Sequence, residues 1–240
     1  MTTLARFAIA VLMALFLSSC AFDMNFGQGK KGNGIVAKET REVYEDFTVV
    51  SASEGLDVFV TQAGNFSIEV EADENVIELI GTDIKNGKLK IHTLENIGRA
   101  TKRIHVTLPE VTGLDASSGA DLITQNVIRA NKIGLDASSG ADIKASVIAD
   151  EVEADTSSGA DIRIEGEAEL LRADASSGSG IRAKDFAVRV CYADASSGAD
   201  IDINVSESLI ADVSSGADIS YSGNPTVEKN KSYSGRVHKD

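Results

Sequence analysis

Six near copies of one octapeptide constrain this chain more than any single residue does. They begin at Asp115 (DASSGADL), Asp136 (DASSGADI), Asp155 (DTSSGADI), Asp174 (DASSGSGI), Asp194 (DASSGADI) and Asp212 (DVSSGADI), with starts 21, 19, 19, 20 and 18 residues apart. A unit of about 20 residues is one supersecondary element that cannot bury its own apolar side and has to stack on its neighbours. The repeat is therefore an architecture before it is a site.

Within one unit Ile133, Leu135 and Ala137 alternate with Gly134, Asp136 and Ser138, and beyond Gly140 the alternation resumes at Ala141, Ile143, Ala145 and Val147. Period two is the strand signal. The next unit fills the same slots with Val152, Ala154, Thr156, Ala160, Ile162 and Ile164, so apolar columns run from coil to coil. Between the two runs, Ser-Ser-Gly places a tight corner at Gly119, Gly140, Gly159, Gly178, Gly198 and Gly216, where glycine takes a positive φ and serine hydroxyls bond nearby backbone. A looser return, such as Ser146 to Glu151, should absorb the variation in length.

Eighteen to 21 residues cannot hold two packed helices, and neither the spacing nor the apolar period fits a left-handed hexapeptide helix. The expected fold is all-β: a parallel, right-handed β-helix with about 20 residues per coil, capped at both ends, its strands about 4.8 Å apart along the axis. Small inward residues beside the corners make it thin, with no room for a buried ligand. The expected divisions are 1–20 signal peptide, 21–46 tether, 47–110 β-rich opening region and N-terminal cap, 111–220 six-coil repeat, and 221–240 C-terminal cap and tail.

The apolar run Phe7 to Leu17 behind Arg6 is too short to span a bilayer as a mature helix. It ends in Leu17-Ser18-Ser19-Cys20, which resembles the lipobox of bacterial lipoproteins, in which the cysteine is diacylated after cleavage. Two acyl chains, at about 0.8 kcal/mol per buried methylene, anchor a domain without a transmembrane helix. Cys20 is therefore the candidate lipidation site, and the glycine-rich Gly27 to Gly34 reads as a tether to the membrane.

Loss of the signal removes Arg6 and leaves 22 basic against 37 acidic residues, a net charge of 22 − 37 = −15. Such acidity excludes nucleic acid as a partner. Cys191, alone once Cys20 is acylated, falls in a column with Ile133, Val152, Leu171 and Leu209 and reads as a core thiol.

One exposed feature recurs in every unit. Asp115, Asp136, Asp155, Asp174, Asp194 and Asp212 should form an outward ladder before the corner; Asp121, Asp142, Asp161, Asp200 and Asp218 should form a second after it, broken at Gly180. Carboxylates about 5 Å apart repel by nearly 1 kcal/mol per pair in water. Calcium drawing on Asp residues of adjacent coils is one possible offset. The other is an Asx-type turn in which each Asp bonds the amides of its own corner. Lys144, Arg163 and Arg182 share the outward face of the second ladder.

Catalysis finds little support. The serines sit in equivalent corners, while His92, His105 and His238 show neither triad nor metal-ligand spacing. A polysaccharide-active β-helix enzyme would need long loops that build a cleft, and short coils leave none.

The lipobox, the Ser-Gly corners about 20 residues apart and the closing Tyr-Ser-Gly-Asn-Pro resemble the autotransporter adhesin head GIN domain family of Gram-negative, often Bacteroidota, envelope proteins. The resemblance spans Phe47 to Val237. It implies a β-helix without catalytic residues and a role in adhesion. The leading expectation is a lipid-anchored, non-catalytic envelope protein of the outer membrane that presents an acidic, serine-rich surface to a glycan or protein ligand. The alternatives are a periplasmic structural or stress-related lipoprotein without an external ligand and, more weakly, carbohydrate-active enzymology.

Overall fold

A computed structural model describes residues 29–229 and 234–240; Cys20 and the expected signal segment lie outside them. In chain order the strands are β1 Val36–Arg41, β2 Val49–Ala52, β3 Asp57–Gln62, β4 Ser67–Asp73, β5 Ile80–Lys85, β6 Lys88–Thr93, β7 Lys102–Leu108, β8 Gly113–Ala116 and β9 Asp121–Thr124. They continue as β10 Ile128–Ala137, β11 Asp142–Thr156, β12 Asp161–Ala175, β13 Gly180–Ala195, β14 Asp200–Val213, β15 Asp218–Ser222, β16 Thr226–Lys229 and β17 Arg236–Lys239.

From β10 to β14 each strand pairs in parallel with its successor, and equivalent repeat positions stack: Asp136 on Asp155, Leu135 on Ala154, Ile143 on Ile162. This is the expected β-solenoid. The inward column Ile133, Val152, Leu171, Cys191, Leu209 is fully buried, and each such aliphatic side chain contributes about 1.5–3 kcal/mol relative to leaving it in water. Burial holds the Cys191 thiol pKa at about 12, so it is a protonated core side chain rather than a nucleophile.

The return from one strand run to the next differs from expectation. Ser146 to Glu151 is not a loose loop, because it lies inside β11 and pairs with β12 from Ser146–Glu165 to Ala149–Ala168 and again at Glu151–Leu170. The turn is made by a change of phase: inward Ala149 is followed by inward Val152, with Asp150 and Glu151 between them facing out. Extra residues are taken up as bulges, between Arg163 and Gly166 and between Ala183 and Ala187. Pairing through the return satisfies amides that a loop would leave to water.

The corner is tighter than glycine alone implies. In all six repeats the second serine has φ between 51° and 56° and the glycine between 70° and 78°, the paired positive φ of a type I′ turn. The Ala141 amide closes the turn on the Ser138 carbonyl at 3.2 Å, and the Gly140 amide donates to the Ser158 carbonyl of the next coil at 3.1 Å. A seventh corner, which the octapeptide pattern does not reveal, is Ser53-Glu54-Gly55, with φ of 64° at Glu54 and 67° at Gly55.

The N-terminal end departs from chain order. β2 and β3 lie between β8–β9 on one side and β6–β7 on the other, so residues 88–108 stack outside a coil that precedes them. Antiparallel strands close this end: β4 on β7, β1 on β4, and β5 on β6. β1 and β5 each pair on one side only, and Lys38, Glu39 and Arg41 blunt the β1 edge against edge-to-edge pairing. Some of the expected tether is therefore docked. Lys30 bridges to Ile97, and the Asn33 amide donates to Asn75 Oδ1 at 3.0 Å. At the other end β16 and β17 add a partial coil in register on β14 and β15, with Val227 and Val237 against the core.

Candidate functional site

Both acidic ladders form as expected. Asp115, Asp136, Asp155, Asp174, Asp194 and Asp212 stack in register before the corners, and Asp121, Asp142 and Asp161, then Asp200 and Asp218, stack after them, with Gly180 in the gap. The structure adds Asp57 to the second ladder, stacked on Asp121, and places Arg103 and Arg236 in register at its two ends.

The Asx-type reading of the first ladder does not hold. In a typical corner the first serine, the glycine and the residue after it already donate to backbone carbonyls, as Ser138 does to Ala116, Gly140 to Ser158 and Ala141 to Ser138. The fourth corner is unlike the rest: its Ser179 hydroxyl is buried between coils, 2.9 Å from Thr156 Oγ1 and 3.0 Å from the Thr156 carbonyl. Thr156 and Ser179, each a hydroxyl residue where the repeat has alanine, thus satisfy one another.

The ladders differ in how their charge is offset. Arg182 meets Asp161 at 3.3 Å and Arg236 meets Asp218 at 3.1 Å, so two carboxylates of the second ladder are paired with cations. On the first ladder Lys88 pairs with Asp115 at 2.7 Å, whereas among the described residues Asp155, Asp174 and Asp194 have no basic group within ion-pair distance. The carboxyls of Asp136, Asp155 and Asp194 are raised above the usual aspartate range, first by desolvation and then by the neighbouring Asp charges. Among the described residues no group of three or more His, Cys, Asp or Glu side chains is arranged to hold a metal ion.

A raised acid pKa means that the folded state holds protons more tightly than the unfolded chain, so the ladder's penalty is complete at neutral pH and is relieved as pH falls through the raised values. Glu54 and Glu71 act oppositely. The Thr93 amide and the Lys38 ammonium, respectively, are the main causes of their lowered pKa, and their contribution is lost as pH falls below the ordinary value of 4.5. The melting temperature should therefore rise as pH drops from neutral and turn over below 4.5. Asp155→Asn should flatten the rising limb; a curve that falls steadily from neutral pH in both proteins would contradict the ladder's role.

Beside the first ladder the same strand faces carry two more outward columns. One reads Lys132, Glu151, Leu170, Val190, Ser208; the other reads Gly134, Glu153, Arg172, Tyr192, Ile210, Glu228. Leu170 and Val190 in the first and Tyr192 and Ile210 in the second bring apolar side chains to these outward positions. Leu170, Val190 and Ile210 are half-buried and Tyr192 is 42% exposed, with the Arg172 guanidinium 4.8 Å from its ring centroid. Tyr192 and Ile210, with Asp155, Asp174 and Asp194, line an open depression of about 530 Å³, and Leu170 and Val190 lie in the column next to it rather than in its lining. Sequence reasoning missed it, although aligning the repeats would have shown four apolar residues at outward positions.

No triad assembles. Ser220 donates to Asp202, and the two ring nitrogens of His238 face Asp218 at 3.3 Å and Asp240 at 3.8 Å. His105 stacks on Phe59, and His92 lies 3.5 Å from Asp83.

Residues 46–225 match the family model described as "Putative auto-transporter adhesin, head GIN domain". No curated protein matches the chain. Among solved structures, a "putative adhesin" from Bacteroides fragilis superposes with a TM-score of 0.80 at 18% identity, covering 88% of this chain and 99% of that one. A "Putative lipid binding protein" from Parabacteroides distasonis gives 0.71 at 17% identity, covering 88% and 98%. A "putative adhesin" from Parabacteroides merdae gives 0.67 at 18%, also covering 88% and 98%. At these identities the likeness concerns the fold.

Proposed function

Since the chain belongs to the head GIN domain family of adhesin-type proteins, we propose that it is a non-catalytic, lipid-anchored envelope scaffold whose solenoid presents a fixed face to a glycan or protein ligand. The observation that carries this reading is the first ladder: consecutive carboxylates are held in register on a continuous sheet, and among the described residues Asp155, Asp174 and Asp194 have no cationic partner. Holding like charges side by side works against folding, and an external partner makes use of them. Acylation of Cys20 would supply attachment to the outer membrane.

Protease shaving of intact cells, with lysed cells and a periplasmic marker as controls, tests the external placement. Digestion in intact cells is expected. Protection until lysis would reject the adhesin reading in favour of a periplasmic structural lipoprotein.

A further inference from the structure

The patch formed by Leu170, Val190, Tyr192 and Ile210 is an exception to the pattern of its own columns, where coils above and below carry Lys132, Glu151, Ser208 and Glu228. Outward positions of a solenoid are normally polar, and apolar groups gathered at such positions mark contact surfaces. Along one side of this patch runs the stretch of the first ladder, Asp155, Asp174 and Asp194, that has no cation paired to it among the described residues. The remaining charged groups nearby are already engaged: Arg172 lies 3.2 Å from Glu151, and Lys132 lies 2.7 Å from Glu153. The open capacity of the depression is therefore negative charge beside aliphatic and aromatic surface.

We propose that this depression docks a basic polypeptide segment in which lysine or arginine residues are interspersed with aliphatic or aromatic ones. Its cations pair with Asp155, Asp174 and Asp194, while its apolar side chains, and the methylene stems of the lysines, cover Tyr192, Ile210, Leu170 and Val190. The assignment rests on the binding-scaffold reading above and names the partner's chemistry.

Other occupants fit less well. A sugar ring stacks on an open aromatic face, and here the Arg172 guanidinium already lies over Tyr192. A second copy of this chain would bring its own net charge of −14 against an acidic face.

The test is fluorescence anisotropy with the purified protein and a labelled octapeptide of alternating lysine and leucine. Peptides of alternating lysine and serine, and of glutamate and leucine, serve as controls, with a neutral oligosaccharide as competitor. The lysine–leucine peptide should bind, more weakly as salt is raised. The lysine–serine peptide should bind about tenfold more weakly or worse, and the glutamate–leucine peptide should not bind. Tyr192→Ser, and separately the pair Asp174→Asn with Asp194→Asn, should each weaken binding by about tenfold or more. Asp142→Asn on the other ladder should leave binding unchanged.

These variants lie on the surface, and an unchanged melting temperature verifies that they remain folded. Equal affinity for the two lysine peptides, insensitivity to Tyr192→Ser, or no binding at millimolar peptide would overturn the proposal. Competition by the oligosaccharide that Tyr192→Ser removes would reassign the site to a glycan. The readout does not depend on where the protein resides, so protection in the shaving experiment rejects surface display without touching the peptide site, and absence of peptide binding leaves surface display standing.

Discussion

Gly166→Ala is expected to be among the most damaging single substitutions in the solenoid, lowering the melting temperature by roughly 4–24 °C. Gly166 has φ of 117°, and an added Cβ would lie 2.0 Å from the Val147 carbonyl oxygen of the preceding coil. Two costs combine. An L-residue held at that φ is strained by about 1–3 kcal/mol, and the oxygen in the way is backbone, so the stack itself has to shift for about as much again. For a domain of this size each kcal/mol moves the midpoint by about 2–4 °C. Circular dichroism melting is the measurement, and a midpoint within 2 °C of the parent would show that the bulge between Arg163 and Gly166 absorbs the extra carbon easily. A corner glycine makes a useful contrast: a Cβ on Gly159 meets nothing within 4 Å, so Gly159→Ala incurs conformational strain without the clash.

Phe186→Ala should lose about 3–5 kcal/mol, or roughly 6–20 °C, because a fully enclosed aromatic ring is replaced by a cavity. Phe186 is completely buried and stacks in register on Gly166. In the coil below, Glu165, Gly166 and Glu167 all face outward, so this column receives no side chain there. The ring is thus the packing counterpart of the bulge. That pairing predicts coupling: the double variant should lose less than the sum of the two single losses, because contacting sites that share one packing unit are not additive. Strict additivity in denaturant unfolding would mean that the glycine and the ring are independent.

Much of this architecture is legible in the sequence because its physics is local. Alternation at Ile133, Leu135 and Ala137, interrupted by Ser-Ser-Gly, states both the strand and its corner. Repetition then supplies the third dimension, since residues in equivalent slots must stack. The same reasoning locates both ladders and identifies Cys191 as core. It fails where the information is not local. Nothing in Val49–Ala52 or Lys88–Thr93 says which lies deeper in the stack, because both are short alternating strands that would pair equally well by pattern.

The corner at Ser53-Glu54-Gly55 escapes the pattern because serine stands for the leading aspartate, glutamate for the second serine and leucine for alanine, leaving Ala52, Ser53, Gly55 and Asp57 as scattered matches. The apolar patch is a property of several coils at once. Tyr192 within Val190-Cys191-Tyr192 looks like one more strand residue until it is set beside Arg172 and Ile210.

The bracketing of the 49–62 coil between later segments on both sides makes the molecule extensible in one direction only. A duplicated unit of 18–21 residues inserted anywhere from β10 onward would find a matching register above and below it. It would lengthen the display face by about 4.8 Å and add one carboxylate to each ladder. The same insertion near β2 would have to separate a pair of neighbours that reach it from different stretches of chain. Gene duplication therefore has a ready ruler at the C-terminal end, while the N-terminal end is held to one length by its own threading.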